Sequence, residues 1–310
     1  MKMFRRASAL LLCVLLLACP VLSADDDSPA DPENTAPVAE NQELQTYRGV
    51  SVGGCLHAYD AEGDEIAFEL VTEPMKGSVE LSPDGYFVYT PGEGHRGRDY
   101  FGFRAVDSEG NASQEGTVII RLVKQKTKLT YADMAGSGSE YAAVMLTESG
   151  VFTGASLGAD SVFDPDDVVT RGEFLAMCMN AASCEILSGV RSTGFADDAD
   201  IESWLKPYVA TALMHGYIRG SESENGPVFR PNEPITLQDA CVMLNAVVGV
   251  TDVVGAARFD TEEESPAAQS VANLTAAGVM LSRWDDLGAS VTRADAAEML
   301  CAAIALLDRR

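Results

Sequence analysis

Residues 195–236 read FADDADIESWLKPYVATALMHGYIRGSESENGPVFRPNEPIT, and this stretch decides how the second half of the chain folds. It opens on Phe195-Ala196-Asp197. Trp204, Tyr208, Thr211 and Ala212 then recur at helical spacing. Gly216-Tyr217-Ile218 follows, and glycine suits the left-handed backbone that ends a helix. Phe229-Arg230-Pro231-Asn232 precedes Ile235-Thr236, with Asp239 three residues beyond the threonine. A threonine followed at that distance by an acid can start a helix, the hydroxyl capping one amide and the acid bonding back to another. The same order recurs on both sides. Tyr131-Ala132-Asp133 and Phe259-Asp260 stand 64 residues before and after Phe195. Gly150-Val151-Phe152 and Gly278-Val279-Met280 repeat the helix end. Val169-Thr170-Arg171-Gly172-Glu173 and Val291-Thr292-Arg293-Ala294-Asp295 repeat the helix start. The glycine-to-threonine gap is 20, 20 and 14 residues, so the third unit has lost loop residues. A fixed period of this size marks a repeat architecture, in which each unit buries its apolar face against its neighbours.

The three units resemble S-layer homology (SLH) repeats, the cell-wall anchoring modules of bacterial surface proteins, over about residues 131–307. The expected units are 131–194, 195–258 and 259–310. The resemblance implies a pseudo-threefold bundle with ligand grooves between neighbouring repeats. The implied ligand is a secondary cell-wall polysaccharide, often pyruvylated, attached to peptidoglycan. The family's T-R-A-E arginine contacts that ligand, a role that falls on Arg171 and Arg293, beside Thr170, Thr292, Glu173 and Asp295. Leu237 stands in the arginine's place in the second unit, which leaves Arg230 or Arg219 as substitutes. The residues alone allow another reading of Arg171, an ion pair with Glu173 or Asp167. A cation in the first turn of a helix opposes the helix dipole, so it needs a partner. Trp204 could stack on a sugar ring, but four residues before Tyr208 it also reads as core.

Residues 24–35 are acidic and contain prolines, as in a solvated linker. From 36 to 123 the texture is short alternating runs with turns such as Pro83-Asp84-Gly85 and Ser108-Glu109-Gly110-Asn111. About seven strands in that length point to an antiparallel sandwich. Ala36-Pro37-Val38-Ala39, the runs 60–64, 86–91 and 97–103, and Val106–Gly110 resemble bacterial cadherin-like and Ig-like modules of surface adhesins. Some relatives bind calcium between acidic loops, and Asp60, Glu62, Asp64, Asp99 and Asp107 are hard oxygen ligands of that type. The plainer reading is that these acids build turns. Lys124, Lys126 and Lys128 mark residues 124–130 as a short basic linker.

Composition narrows the function. Of 310 residues 46% are apolar and 22% charged, enough for packed cores. Net charge is −25, which argues against nucleic acid as a partner. Lys2, Arg5 and Arg6 before the apolar run 10–17 predict a signal peptide over 1–23. A rival reading lipidates Cys19. No later stretch reaches the roughly 20 apolar residues of a membrane helix. Five cysteines beyond the leader read as free thiols. Three scattered histidines and the lack of phosphate-loop or nucleophile motifs argue against an enzyme.

The expectation is therefore a multidomain chain: an all-β Ig/cadherin-like sandwich followed by a mainly α pseudo-threefold SLH repeat bundle. It is expected to be exported, held without covalent attachment on cell-wall polysaccharide at the cell surface, and to display the sandwich. No cofactor is required, with calcium allowed in the sandwich. The alternative is a calcium-assisted adhesin whose sandwich binds a protein or glycan partner, the repeats only positioning it.

Overall fold

The computed structural model describes residues 34–152, 162–251, 266–280, 284 and 286–309. The expected leader 1–23 with Cys19, residues 24–33 of the acidic linker, and Phe259-Asp260 lie outside the described residues.

Nine strands form between residues 38 and 123: β1 Val38–Ala39, β2 Gln42–Tyr47, β3 Val52–Cys55, β4 Ala58–Tyr59, β5 Ala67–Thr72, β6 Gly77–Leu81, β7 Tyr86–Pro91, β8 Gly97–Val106 and β9 Gly116–Val123. They pair as β2-β9-β8-β5, β3-β7-β6 and the small pair β1-β4. Alternation sets the buried face: Val118, Ile120 and Leu122 of β9 and Phe101 and Phe103 of β8 point inward. Phe87 of β7 meets Phe101 edge-on at 5.1 Å and so joins the two larger sheets. Two expectations need correction. There are nine strands instead of seven, and the sandwich is not wholly antiparallel, because β2 runs parallel to β9. Alternation specifies which face is buried but not the direction of a neighbouring strand, so the sequence could not reveal this pairing.

Among the described residues six helices follow: α1 Glu140–Glu148, α2 Arg171–Ala181, α3 Lys206–Met214, α4 Leu237–Val248, α5 Pro266–Ala276 and α6 Arg293–Leu307. Gly150, Gly216 and Gly278, just past the ends of α1, α3 and α5, have φ of 75°, 73° and 72°, the left-handed backbone expected of them. Thr170, Thr236 and Thr292 cap α2, α4 and α6. The residues just before these threonines close a ring of backbone hydrogen bonds. The Val169 amide donates to the Val291 carbonyl, Val291 to Ile235, and Ile235 to Val169, at 2.9, 2.9 and 3.0 Å. A second set runs outside it: Arg171 to Glu233, Leu237 to Ala289 and Arg293 to Asp167. The heads of α2, α4 and α6 are thereby gathered at one place, with Phe163, Phe174, Phe229 and Leu300 buried beneath.

The two halves are packed on each other. Glu140, buried at the start of α1, accepts from the amides of Ser51 and Gly136 at 3.0 and 3.1 Å. Gly53 and Gly138 bring their backbones together through a 2.7 Å bond, and a side chain at Gly138 would collide with the Tyr86 hydroxyl. At the other end of α1, Glu148 accepts from the Tyr47 hydroxyl at 2.9 Å and the Thr127 amide at 3.0 Å. Residues expected to act as a loose basic linker are thus tied to the first helix. No helix among the described residues is long and apolar enough to cross a membrane.

Candidate functional site

Arg171 and Arg293 occupy the first turn of α2 and α6, and each turns away from its own helix. Arg171 Nε donates to the Phe229 carbonyl at 3.2 Å, with the guanidinium 5.7 Å above that ring. Arg293 Nε donates to the Phe163 carbonyl at 2.6 Å and sits 4.7 Å from the Phe163 ring and 5.3 Å from Phe152. Leaving the helix axis removes the conflict with the dipole, and the aromatic faces hold the cations in place. Arg171 therefore joins the head of α2 to the loop at Phe229, and Arg293 the head of α6 to the loop at Phe163.

The loops are shaped by aspartates. Asp133 accepts the amides of Phe163 and Asp164, and Asp197 those of Phe229 and Arg230, at 2.7 to 3.1 Å. Asp164 and Arg230 are held at φ of 55° and 59°, strained for residues with side chains, so the loops need this pinning. The aspartate in Tyr-Ala-Asp and Phe-Ala-Asp was visible as a repeat signature, but its partner some 30 residues away was not.

The partner of Arg171 is neither Glu173 nor Asp167. It is Asp239, in the first turn of α4, with Arg171 Nη1 2.6 Å from Oδ2. Among the described residues capping boxes form at the heads of α2 and α6. Glu173 bonds back to Thr170 and Asp295 to Thr292, so these four residues hold one another. Thr236 still caps the Asp239 amide, but the Asp239 carboxylate has gone to Arg171, which corrects the expectation of three boxes. Arg230 is exposed and pairs with Glu233 at 3.5 Å. Where Leu237 replaces the arginine, a small pocket is lined by Leu237, Trp284, Asp286 and Asp295, and the Trp284 indole donates to Asp295 at 2.9 Å. Sequence reading passed over Trp284 and took Asp239 only as a capping acid.

Trp204 is not core. It lies in the turn just before α3, is 46% exposed, donates to Glu202 at 2.8 Å and meets Tyr208 edge-on.

The sandwich acids separate into groups. Asp60, Asp64 and Asp107 converge, with one ligand atom from each within 4.8 Å of the others. Asp60 Oδ1 accepts the amides of Glu62, Gly63 and Asp64, while its Oδ2 is buried with no hydrogen-bond partner. Burial works to raise the Asp107 pKa, but hydrogen bonds from Asn111, Glu109 and Gly110 outweigh it and keep the carboxyl below its ordinary value. Glu62 instead accepts from Thr35. Asp99 does not join the cluster: its oxygens are filled by the Met75 and Lys76 amides and the Tyr89 hydroxyl, a structural use. The five cysteines among the described residues form no disulfide, and burial pushes the Cys241 thiol up to about 12.

Residues 34–124 match the bacterial cadherin-like domain family. Residues 194–241 match the S-layer homology domain family. The chain thus carries a cadherin-like module and one matched S-layer homology domain. The Surface-layer 125 kDa protein of Lysinibacillus sphaericus is 30% identical over 125 residues, which is 40% of this chain and 10% of that protein. The chain therefore spans about a tenth of the length of this curated relative. Among solved structures, an endo-fucoidan hydrolase of glycoside hydrolase family 107 is 20% identical over 30% of this chain and 14% of its own, with a TM-score of 0.25. A mutant SrpA adhesin of Streptococcus sanguinis is 21% identical over 33% of this chain and 65% of its own, with a TM-score of 0.24. Likeness at these scores carries no functional weight.

Proposed function

We propose that this is an exported cell-surface protein held non-covalently on cell-wall polysaccharide by three SLH repeats, with the cadherin-like sandwich displayed from them. The observation that carries this reading is the S-layer homology match at 194–241, whose Asp197, Gly216 and Thr236 have counterparts in the units before and after it. On this reading the six helices are a pseudo-threefold bundle and the arginine grooves take the polymer. Arg293 and Arg171 are the ligand contacts, with Thr170, Glu173, Thr292 and Asp295 positioning them and Trp204 and Arg230 at the rim. A planar guanidinium fits a polymer carboxylate through paired, charge-assisted bonds. The chain is not an enzyme on this reading.

Net charge over 131–310 is −17, from 10 cations and 27 acids, so attraction to an acidic polymer must be local. The test is co-sedimentation of the full exported chain with peptidoglycan sacculi, native or stripped of secondary polymer. The full chain is needed because α1 is built into the sandwich. Retention on native sacculi, lost on stripped ones and reduced at least tenfold by Arg293→Ala, is the expected result. Equal retention on both sacculi would sink the polysaccharide reading.

A second reading has its own observation. Asp60 Oδ2, buried and without a partner beside Asp64 and Asp107, fits a calcium ligand in an adhesive sandwich. Calcium at millimolar concentration should raise the melting temperature of the wild type and leave Asp60→Asn unmoved. A wild type indifferent to calcium removes this reading.

A further inference from the structure

The two arginine grooves are built from the same parts but are not in the same state. In both, the arginine Nε is bonded to a phenylalanine carbonyl and the guanidinium lies over aromatic rings. They differ in one carboxylate. At Arg171, Asp239 has left its capping position and lies 2.6 Å from Nη1. The residue in the matching place beside Arg293 is Glu173, which follows Thr170 as Asp239 follows Thr236. Glu173 bonds back to the Thr170 amide and hydroxyl at 3.0 and 2.9 Å. Among the described residues no carboxylate is paired with Arg293.

We propose that Asp239 acts as a built-in carboxylate that closes the Arg171 groove, leaving the Arg293 groove as the single open seat for an anionic sugar substituent. The inference rests on the reading of the grooves as polymer contacts and adds which of them works. Asp239 presents to Arg171 the same group, at charge-assisted distance, that an acidic ligand would present. A ligand must displace it, and losing one bond of that strength weakens binding roughly 10- to 100-fold. At Arg293 no carboxylate among the described residues has to be displaced. That cation is also already oriented by Phe163 and Phe152, so ordering it on binding costs little. The choice between the grooves is made by where one short side chain points, because Thr236 caps its helix whether or not Asp239 returns to it.

Calorimetric titration of the full exported chain with a monosaccharide bearing a pyruvate ketal tests this. Wild type should bind one equivalent, Arg293→Ala none, Asp239→Asn two, and the Arg293→Ala/Asp239→Asn double variant one, now at Arg171. Asp239→Ser should repeat the count of Asp239→Asn, which covers a folding failure of either. A wild type that binds two equivalents, or that loses its site in Arg171→Ala while keeping it in Arg293→Ala, overturns the inference and leaves the anchor reading standing. No heat from any of these proteins also overturns it, and the sacculus assay then decides whether the anchor reading falls too.

Discussion

Two pairs of loop-shaping aspartates, one in the sandwich and one in the helical half, work at different ranges. In the sandwich, Asp60 and Asp107 turn back onto amides two to four residues ahead and shape one loop each. In the helical half, Asp133 and Asp197 reach 30 and 32 residues along the chain, and Asp239 meets an arginine 68 residues away. Asp99 is the exception among these sandwich aspartates, bonded to residues 10 to 24 positions distant, and Glu62, Glu69 and Glu115 also reach 27, 35 and 43 residues. A sheet already satisfies its backbone through its ladders, so its acids are left for turns. In the helical half backbone bonds close the hub, but the loops at Phe163 and Phe229 have no ladder, and there side chains supply the acceptors.

The contrast can be broken most directly at Asp197. Asp197→Ala leaves the Phe229 and Arg230 amides without their acceptor and should cost about 2–3 kcal/mol in urea unfolding, more than Asp107→Ala costs. Equal losses would end the distinction between long-range and local acids. A smaller effect concerns acid. Burial tends to raise the Glu148 pKa, but hydrogen bonds from Thr127 and Tyr47 prevail and hold it below its ordinary 4.5. Lys206 and the Thr193 amide and hydroxyl lower Asp198 to about 2. Both carboxylates are favoured ionised in the folded state, so their contribution is complete above their unfolded values and fades as pH falls through the folded ones. Stability should decline from about pH 5 towards pH 2, and Glu148→Gln should flatten part of that decline in melts followed by circular dichroism. An unchanged acid profile in Glu148→Gln would show that the α1–sandwich contact does not depend on the charge.

What the sequence disclosed follows the same division. Caps, glycine helix ends and the alternating strands were legible, because each is a local pattern repeated at a visible spacing. Thr170, Thr236, Thr292 and Gly216 were found this way. Features joining distant segments were not. The parallel seat of β2 beside β9 leaves no mark on alternation. Asp239 has the same local context as Glu173 and Asp295, and only proximity to Arg171 separates it from them. Trp204 was misjudged because helical spacing was extended one turn too early, across a turn that stands before Lys206. Of the five acids considered for calcium, Asp60, Asp64 and Asp107 meet, while Asp99 lies close in type but elsewhere in space.

The circle of amides through Val169, Ile235 and Val291 has a consequence for copy number. Each member gives one hydrogen and takes one, so three segments satisfy all and no end is left over. An open stack of repeats grows or shrinks by a unit with little penalty, since its terminal units merely move. Here, removing a segment strands a donor and an acceptor, and a fourth has no gap to enter. The three segments therefore close on themselves at the hub. It follows as well that a chain emerging from its N-terminus cannot complete the hub until Val291 has been made.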